Sequence, residues 1–457
     1  MRLVQILRFP TEYTRHLYLK HPQLASLPYL DQLNTLIQDR YLASQLYAEE
    51  LRAIGADAHI LIANCEPLQR AWAHENDMPT ENASWLSIIL AAQVTRIRPD
   101  VLFITDPCAI DSRFVRLLPI KPTFVVGLRA GMIPAWTDFT AFDLMLSGEQ
   151  FSKELPLAHG ATASEHISAG FASRFISFTS PRDANLELLC VGGGEGDLPL
   201  LEQLGFYANA TREFTPTFID TPPTSLTCEW ISRYAQSSLW GIELYKVLRQ
   251  TKVAITNIPS FGSSATSEIS WFDVTGCGAM LLTEDNALVG RYFDVGGEVE
   301  TYSSFDELTE KIRFYNSHAA EREEIARRGQ ARCLREHSLA RRTEELLEIL
   351  QRHVSSLGLS PREDSPPPPH TLVSRSIEQI RTGRIEESYK SALKALKHYP
   401  QERFVHYMLG LNLLKMERVQ EARDALTTEV SLHPDAQEAW ELLSSLAKMS
   451  PEESLPT

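Results

Sequence analysis

The chain has no Cys-x-x-Cys pair, no apolar run near the roughly 20 residues a transmembrane helix needs, and no surplus of positive charge. Each absence excludes something. The six cysteines, at 65, 108, 190, 228, 277 and 333, are scattered. That argues against a zinc site or a disulfide framework and for free, buried thiols in a reducing compartment. The run from Leu3 to Leu7 is bounded by Arg2 and Arg8. It is too brief for the apolar centre of a signal peptide and reads as a first strand, so the expected location is cytoplasmic. A net charge of −15 weighs against nucleic acid or an anionic membrane as a main partner, because both reward clustered positive charge. An anionic substrate needs local positive or backbone donors to overcome that field.

What is present is a multidomain chain. Its 457 residues exceed one core, while 43% hydrophobic and 23% charged residues are ordinary for a soluble globular protein. Two stretches alternate strand and helix in the manner of parallel sheets. In the first, strands are expected at 3–7, 58–63, 101–105, 123–127 and 142–147, with a helix from Asp31 to Ile54 stopping at Gly55. In the second, they are expected at 186–191, 253–257, 279–283 and 298–302, with helices near 241–249, 305–315 and 320–335. A polar stretch around Thr179 to Asn185 joins the halves, and Pro366 to Pro369 lie in a stiff spacer. The expected organisation is an N-terminal Rossmann-like, acceptor-side domain (1–178), a C-terminal Rossmann-like, donor-side domain (179–355), a Pro-rich linker (356–371) and a helical module (372–450). Facing α/β domains place the carboxyl ends of their strands around a shared cleft, where such sheets bind ligands.

The helical module carries an internal echo. Pro400 and Pro434 lie 34 residues apart, each closing an amphipathic helix. Leu409, Gly410, Ala422 and Leu426 fall where small and apolar packing residues belong, and Trp440 and Leu443 restart the pattern. The spacing resembles tetratricopeptide repeats, in which small residues let paired helices approach and a proline ends the second helix. Two repeats and a fraction bury little surface. The module is therefore expected to dock on the α/β body, on a partner protein or on a second copy as a homo-dimer.

The densest chemical signal runs from Ser267 to Asp285. It reads as a short helix carrying Glu268 and Asp273, a Gly276-Cys277-Gly278 turn and a buried strand. A helix N-terminus at the cleft offers N–H groups to a phosphate, and a nearby carboxylate accepts ribose hydroxyls. The plain alternative is a helix-strand connection whose glycines serve backbone conformation. This segment resembles the donor-side domain of CgeB-like, spore-maturation-type group 1 glycosyltransferases, which have the two-domain GT-B fold. Phe272-Asp273 stands at the family's Phe-Glu position and Gly276 to Gly278 at its glycine turn. The likeness continues through Tyr292-Phe293, Gly297 to Tyr302, Ile325 to Gln330 and His337 to Arg342. In the first half, Asn64, Gln69, Trp72 and Glu75 match an N-x4-Q-x2-W-x2-E pattern, and Arg98 to Val101 and Asp143 to Ser147 resemble two strand entries.

The resemblance implies transfer of a sugar from a nucleotide-diphosphate donor acting as co-substrate, with no other cofactor, to an acceptor, including a protein recruited by the repeats. Backbone donors at Gly192, Gly193, Gly276 and Gly278 would steady the leaving diphosphate. Glu268, Ser270 and Asp273 would line the donor site, and His166 would pair with phosphate. Asn64, Gln69 and Trp72 are acceptor-side candidates, Trp72 equally a core filler. Asp106, just after a strand, is the candidate general base, or else a turn cap. His337 reads as a structural residue ahead of a serine cap. No Asp-x-Asp occurs, so transfer without a metal is expected. Asp273 is one methylene shorter than the family's glutamate, and Ser270 replaces an arginine whose bidentate grip serine cannot reproduce. Two alternatives follow: a non-catalytic nucleotide-sugar-binding protein, and a scaffold in which the repeats matter. The enzymatic reading requires the Asp273 carboxylate to face the crevice.

Overall fold

The structure is a computed structural model. It describes residues 1–80, 84–129, 131–148, 153–174, 184–191, 197–219, 228–236, 239–256, 270–356, 372–373, 376–377, 379–380, 383–400, 404–433 and 436–448. The chain divides into two compact units. The larger comprises Leu3–Ile54 and Ile60–Ser360, and the smaller comprises Pro361–Thr457 with Met1–Arg2 and Gly55–His59.

Runs of apolar residues buried on both faces make the first sheet, as parallel strands covered by helices require. Its strands are β1 (Arg2–Leu7), β2 (Asp57–Ile62), β3 (Val101–Ile104), β4 (Phe124–Arg129), β5 (Leu144–Ser147) and β6 (Ser164–His166), in the order β2-β1-β3-β4-β5-β6. The β1–β3, β3–β4, β4–β5 and β5–β6 ladders are parallel. Val4, Ile6, Leu102, Ile104, Val125 and Met145 belong to one core cluster, with Leu90, Val94 and Ile97 of the Trp85–Ile97 helix packed into it. The strand order reverses between β1 and β3, and the carboxyl ends of strands at such a switch point are where open α/β sheets bind ligands.

The second sheet contains β7 (Leu186–Val191), β8 (Pro216–Ile219), β9 (Thr251–Ile255), β10 (Met280–Glu284) and β11 (Glu300–Tyr302), ordered β11-β10-β9-β7-β8 and parallel throughout. Its switch point lies between β7 and β9. The turns leaving those strands, 192–196 and 257–269, fall outside the described residues. Three expectations shift here. The expected 31–54 helix is two helices, Tyr29–Gln38 and Tyr47–Ala53, separated by left-handed Arg40 and Leu42. Gln5 on β1 bonds Gln45 O and Ala48 N, which holds that break in place. Strands β6 and β8, not expected from the sequence, form one edge of each sheet. The helix Leu339–Ser356, second-half by sequence, packs on the first sheet through Arg352 and His353 to Glu165 and through the His353 ring near Phe124.

The connector is tight. Phe171 and Leu339 exchange backbone bonds across Ser338: Phe171 N donates to His337 O at 2.8 Å and Leu339 N to Phe171 O at 2.8 Å. A Cβ on Gly276 would meet the Phe171 ring at 2.4 Å, so the absent side chain at 276 lets the connector pack.

In the smaller unit, helices Ile385–His398, Val405–Lys415, Val419–Leu432 and Gln437–Lys448 form a helical region. A Cβ on Gly410 would meet Leu426 at 2.7 Å and Ala422 O at 3.4 Å, so these residues mark a close helix-helix approach. The buried Glu429 carboxylate accepts from the Phe404, His406 and Tyr407 amides at 2.7, 3.0 and 3.1 Å, capping the neighbouring helix. Pro434 lies outside the described residues, as do 357–371 of the expected linker.

Candidate functional site

The turns leaving β1 and β3 meet at the first sheet's switch point. Arg8 follows β1 and Asp106 follows β3 after one intervening residue, so adjacent strands bring residues 98 apart in sequence into one ion pair. Arg8 Nη1 donates to Asp106 Oδ2 at 2.7 Å, and the two side chains remain 37% and 29% exposed. The exposure leaves both groups within reach of a ligand, while the charge-assisted bond fixes the carboxylate's orientation. Arg8 was not among the sequence candidates. Its signal is its place directly after the first strand.

The other first-domain candidates are held by the protein itself. Asn64 clamps the β1 exit: its Oδ1 accepts from Phe9 N at 2.9 Å and its Nδ2 donates to Phe9 O at 2.5 Å. Gln69 is buried and donates to Ile62 O at 2.8 Å, so it packs under the sheet. Trp72 is half-buried on the Glu66–Glu75 helix. Glu75 of the same helix accepts from Tyr29 N at 2.7 Å. His166 ends the edge strand β6, with Nδ1 3.4 Å from Ser147 Oγ. His337 is buried among Phe272, Tyr292 and Phe293, bonded to Tyr292 O at 3.0 Å. Burial depresses its pKa to about 4, which keeps the ring neutral at pH 7.

In the second domain, Ser270 caps the helix Trp271–Cys277, and Asp273 completes a capping box. Asp273 Oδ2 accepts from Ser270 N at 2.9 Å and Ser270 Oγ at 2.8 Å, and Oδ1 accepts from Tyr245 OH at 3.3 Å. The residue is 2% exposed. Burial raises its pKa to about 6, against the hydrogen bonds that lower it. This corrects the expectation that Asp273 faces the crevice: its three acceptor contacts are internal, Ser270 is a cap, and this segment's carboxylate no longer supports an enzyme. Gly278 ends the helix at φ +85°, with its N–H donating to Thr275 O at 2.9 Å, and Gly276 O accepts from Gln330 Nε2 at 2.9 Å. The glycine turn is thus a helix stop and a packing site, and the Gly278 amide is not offered to a diphosphate. Glu268, Gly192 and Gly193 lie outside the described residues. Among the described residues, no cluster of three His, Cys, Asp or Glu could hold a metal, and no helix is long and apolar enough to cross a membrane.

Residues 219–348 match a family model described as glycosyl transferase-like. No curated protein matches the chain. Among solved structures, Anabaena HepE in complex with UDP-glucose is 10% identical, covering 77% of this chain and all of that one, with a TM-score of 0.50. A glycosyltransferase from Rickettsia africae ESF-5 is 11% identical over 77% of this chain and 98% of that one, with a TM-score of 0.49. Sucrose-phosphate synthase from Thermosynechococcus elongatus is 8% identical over 78% of this chain and all of that one, with a TM-score of 0.48. At these identities the HepE likeness bears on fold alone. The α/β body therefore has two parallel sheets of the GT-B kind, and its second domain carries a glycosyl transferase-like segment.

Proposed function

We propose that the protein transfers a sugar from a nucleotide-diphosphate donor to an acceptor hydroxyl, with the Arg8–Asp106 pair at the first switch point as the reacting-side machinery. The observation that carries this reading is the pair itself. It is an exposed, oriented carboxylate at the place where open α/β sheets bind ligands, in a chain whose second domain is glycosyl transferase-like. In an inverting reaction the acceptor oxygen attacks the anomeric carbon and its proton passes to Asp106. The bond between that carbon and the β-phosphate oxygen breaks, and nucleoside diphosphate departs. Arg8 holds the carboxylate toward the crevice. The donor grip is assigned to the turns after β7 and β9, including Gly192, Gly193 and Glu268, with His166 as a phosphate contact. We further propose a uridine donor, after the UDP-glucose of the HepE complex, and transfer that needs no resident metal, on the lack of an Asp-x-Asp. The helical module is read as tetratricopeptide-like and as the place where an acceptor protein or a second copy docks. The CgeB-like likeness and a cytoplasmic location complete this reading.

A thermal-shift panel tests donor binding. UDP and UDP-glucose at about 100 times their Kd should stabilise the full chain by roughly 2.7 kcal/mol, with GDP giving no shift. Absence of a shift with every nucleoside diphosphate removes the donor site. Transfer unchanged by EDTA is expected, and its loss on chelation overturns metal independence.

A second reading is favoured by one specific observation. Asp273 is consumed in a capping box, and Ser270 falls where the resemblance implies an arginine, which suits a protein that binds nucleotide sugars without turning them over. Release of UDP from UDP-glucose by the purified chain excludes it.

A further inference from the structure

Four aromatic rings join the segments beside the first sheet to a helix beside the second, and the transferase reading leaves them unused. Tyr13 and Tyr41 stack at 4.0 Å with 18° between their planes. Both stand edge-on to Phe9, at 5.4 and 5.3 Å. Trp240, which precedes the helix Gly241–Gln250, lies against the same two tyrosines at 6.0 and 5.7 Å. Polar contacts surround this apolar centre. Tyr13 OH donates to Asp39 Oδ2 at 2.9 Å, and Lys20 Nζ donates to Glu243 Oε1 at 2.6 Å. A Cβ on Gly241, which stands at φ +54°, would collide with the Asp39 carboxylate and carbonyl, so the missing side chain lets the two segments meet. An apolar centre inside a charged rim is the anatomy of an interface. All of these residues belong to the larger compact unit.

We propose that Trp240 is a positioning residue for the Arg8–Asp106 pair, acting through the rings that seat Phe9. The inference rests on the transferase reading and names what holds its reacting pair in place. The Arg8 side chain is long and 37% exposed, so its direction is set by its own backbone and by its bond to Asp106. Phe9, the next residue, is 1% exposed. Asn64 clamps its amide and carbonyl at 2.9 and 2.5 Å, and Tyr13 and Tyr41 hold its ring. Loss of the Trp240 ring uncovers both tyrosines on one side, and their shift carries Phe9 and the Arg8 backbone with it. Coupling of this kind travels through contiguous packed groups. A displacement of about 1 Å at a reacting group costs up to about 10²-fold in rate. The helix that carries Trp240 is itself anchored beside the second sheet, where Tyr245 OH donates to Asp273 Oδ1 at 3.3 Å.

Hydrogen exchange followed by mass spectrometry on the full chain reads this coupling without any turnover. The reporters are the Phe9 amide, which donates to Asn64 Oδ1, and the Thr105 amide beside Asp106, which donates to Ile6 O at 3.1 Å. Trp240→Ala should speed exchange in the peptides holding these amides about tenfold, and Trp240→Phe, which keeps a ring, about twofold, with the Ile385–His398 helix unchanged. Unchanged exchange at both reporters overturns the proposal. So does equal acceleration throughout the chain, which marks a loss of global stability instead. Kinetics supplies a second readout. In UDP-glucose-dependent transfer, Trp240→Ala should lower kcat about tenfold and leave KM for UDP-glucose within about twofold. That loss should vanish in an Asp106→Asn background, where the pair no longer reacts and its placement no longer matters. The same tenfold loss in that background overturns the proposal. The two levels fail separately. Faster exchange at the reporters in a chain that transfers no sugar rejects the transferase and keeps the aromatic joint. Transfer with unchanged exchange keeps the transferase and removes the role of Trp240.

Discussion

Two carboxylates that the sequence offers as site residues end in opposite places. Asp106 stands just after β3 and reaches an exposed ion pair with Arg8, whereas Asp273 stands in the first turn of a helix and is buried in a capping box. The difference comes from what the backbone offers nearby. A helix start has orphan N–H groups that draw a carboxylate at the third position inward. A strand exit at a switch point has no such row of donors, and the adjacent strand supplies a cation instead. Phe272 and Asp273 are thus buried framework beside the second sheet, and the exposed chemistry described here lies at the first.

The largest effect expected from this contrast is on turnover. Asp106→Asn keeps the shape of the side chain and removes its basicity. The expected loss in kcat is about 10²–10⁴-fold for UDP-glucose-dependent transfer, with little change in thermal midpoint. Asp273→Asn should show the opposite signature, a lower midpoint with a smaller effect on kcat per folded molecule. Equal kcat in Asp106→Asn and wild type would move the base elsewhere and dissolve the comparison.

A smaller effect is expected in the pH dependence of stability. The pKa of Asp273 is raised by burial from 3.8 to about 6. The folded state thus holds a proton that the unfolded state has released. Its stabilisation is fully present below about pH 4 and is lost as pH rises through about 6. At roughly 1.4 kcal/mol per pKa unit, the fall is on the order of 2–3 kcal/mol. Asp39, which accepts from Tyr13 OH at 2.9 Å, is also raised by burial to about 6 and contributes in the same window. Between pH 4 and 7 in urea denaturation, the wild type should lose about that much more stability than Asp273→Asn, a difference in which the opposite slope of His337, with its pKa lowered to about 4, cancels. An unchanged slope would mean that Asp273 is hydrated and accessible, which would return it to the list of ligand contacts.

The contrast also shows where sequence reasoning reaches and where it stops. Central strands such as β1, β3 and β7 were legible because burial on both faces demands unbroken apolar runs. The edge strands were not. Ser164-Glu165-His166 is polar and only half-buried, and Pro216 opens β8 with a residue that suits an edge. The break in the expected 31–54 helix depends on Gln5, a residue more than thirty positions away in sequence. Ser270-x-x-Asp273 was readable as a capping box from its spacing alone. The partnership of Arg8 with Asp106 was not, since only the sheet order makes β1 and β3 neighbours.

The smallest effect separates the two glycines of the turn, which serve different physical ends. Gly278 has φ +85°, a conformation that costs an L-residue about 1 kcal/mol, and alanine there should lower stability by about that much. Gly276 lies against the Phe171 ring, so alanine there must displace the connector, at about 1–3 kcal/mol. Phe171→Leu gives a smaller group opposite position 276 and should recover part of the Gly276→Ala loss while leaving Gly278→Ala unaffected. Chemical denaturation of the three single and two double variants measures this coupling. Coupling at 276 alone identifies the turn as an element of the connector at Phe171. Equal, additive losses at both positions would show the Phe171 contact to be loose and would leave Gly276 open to a role at the ligand.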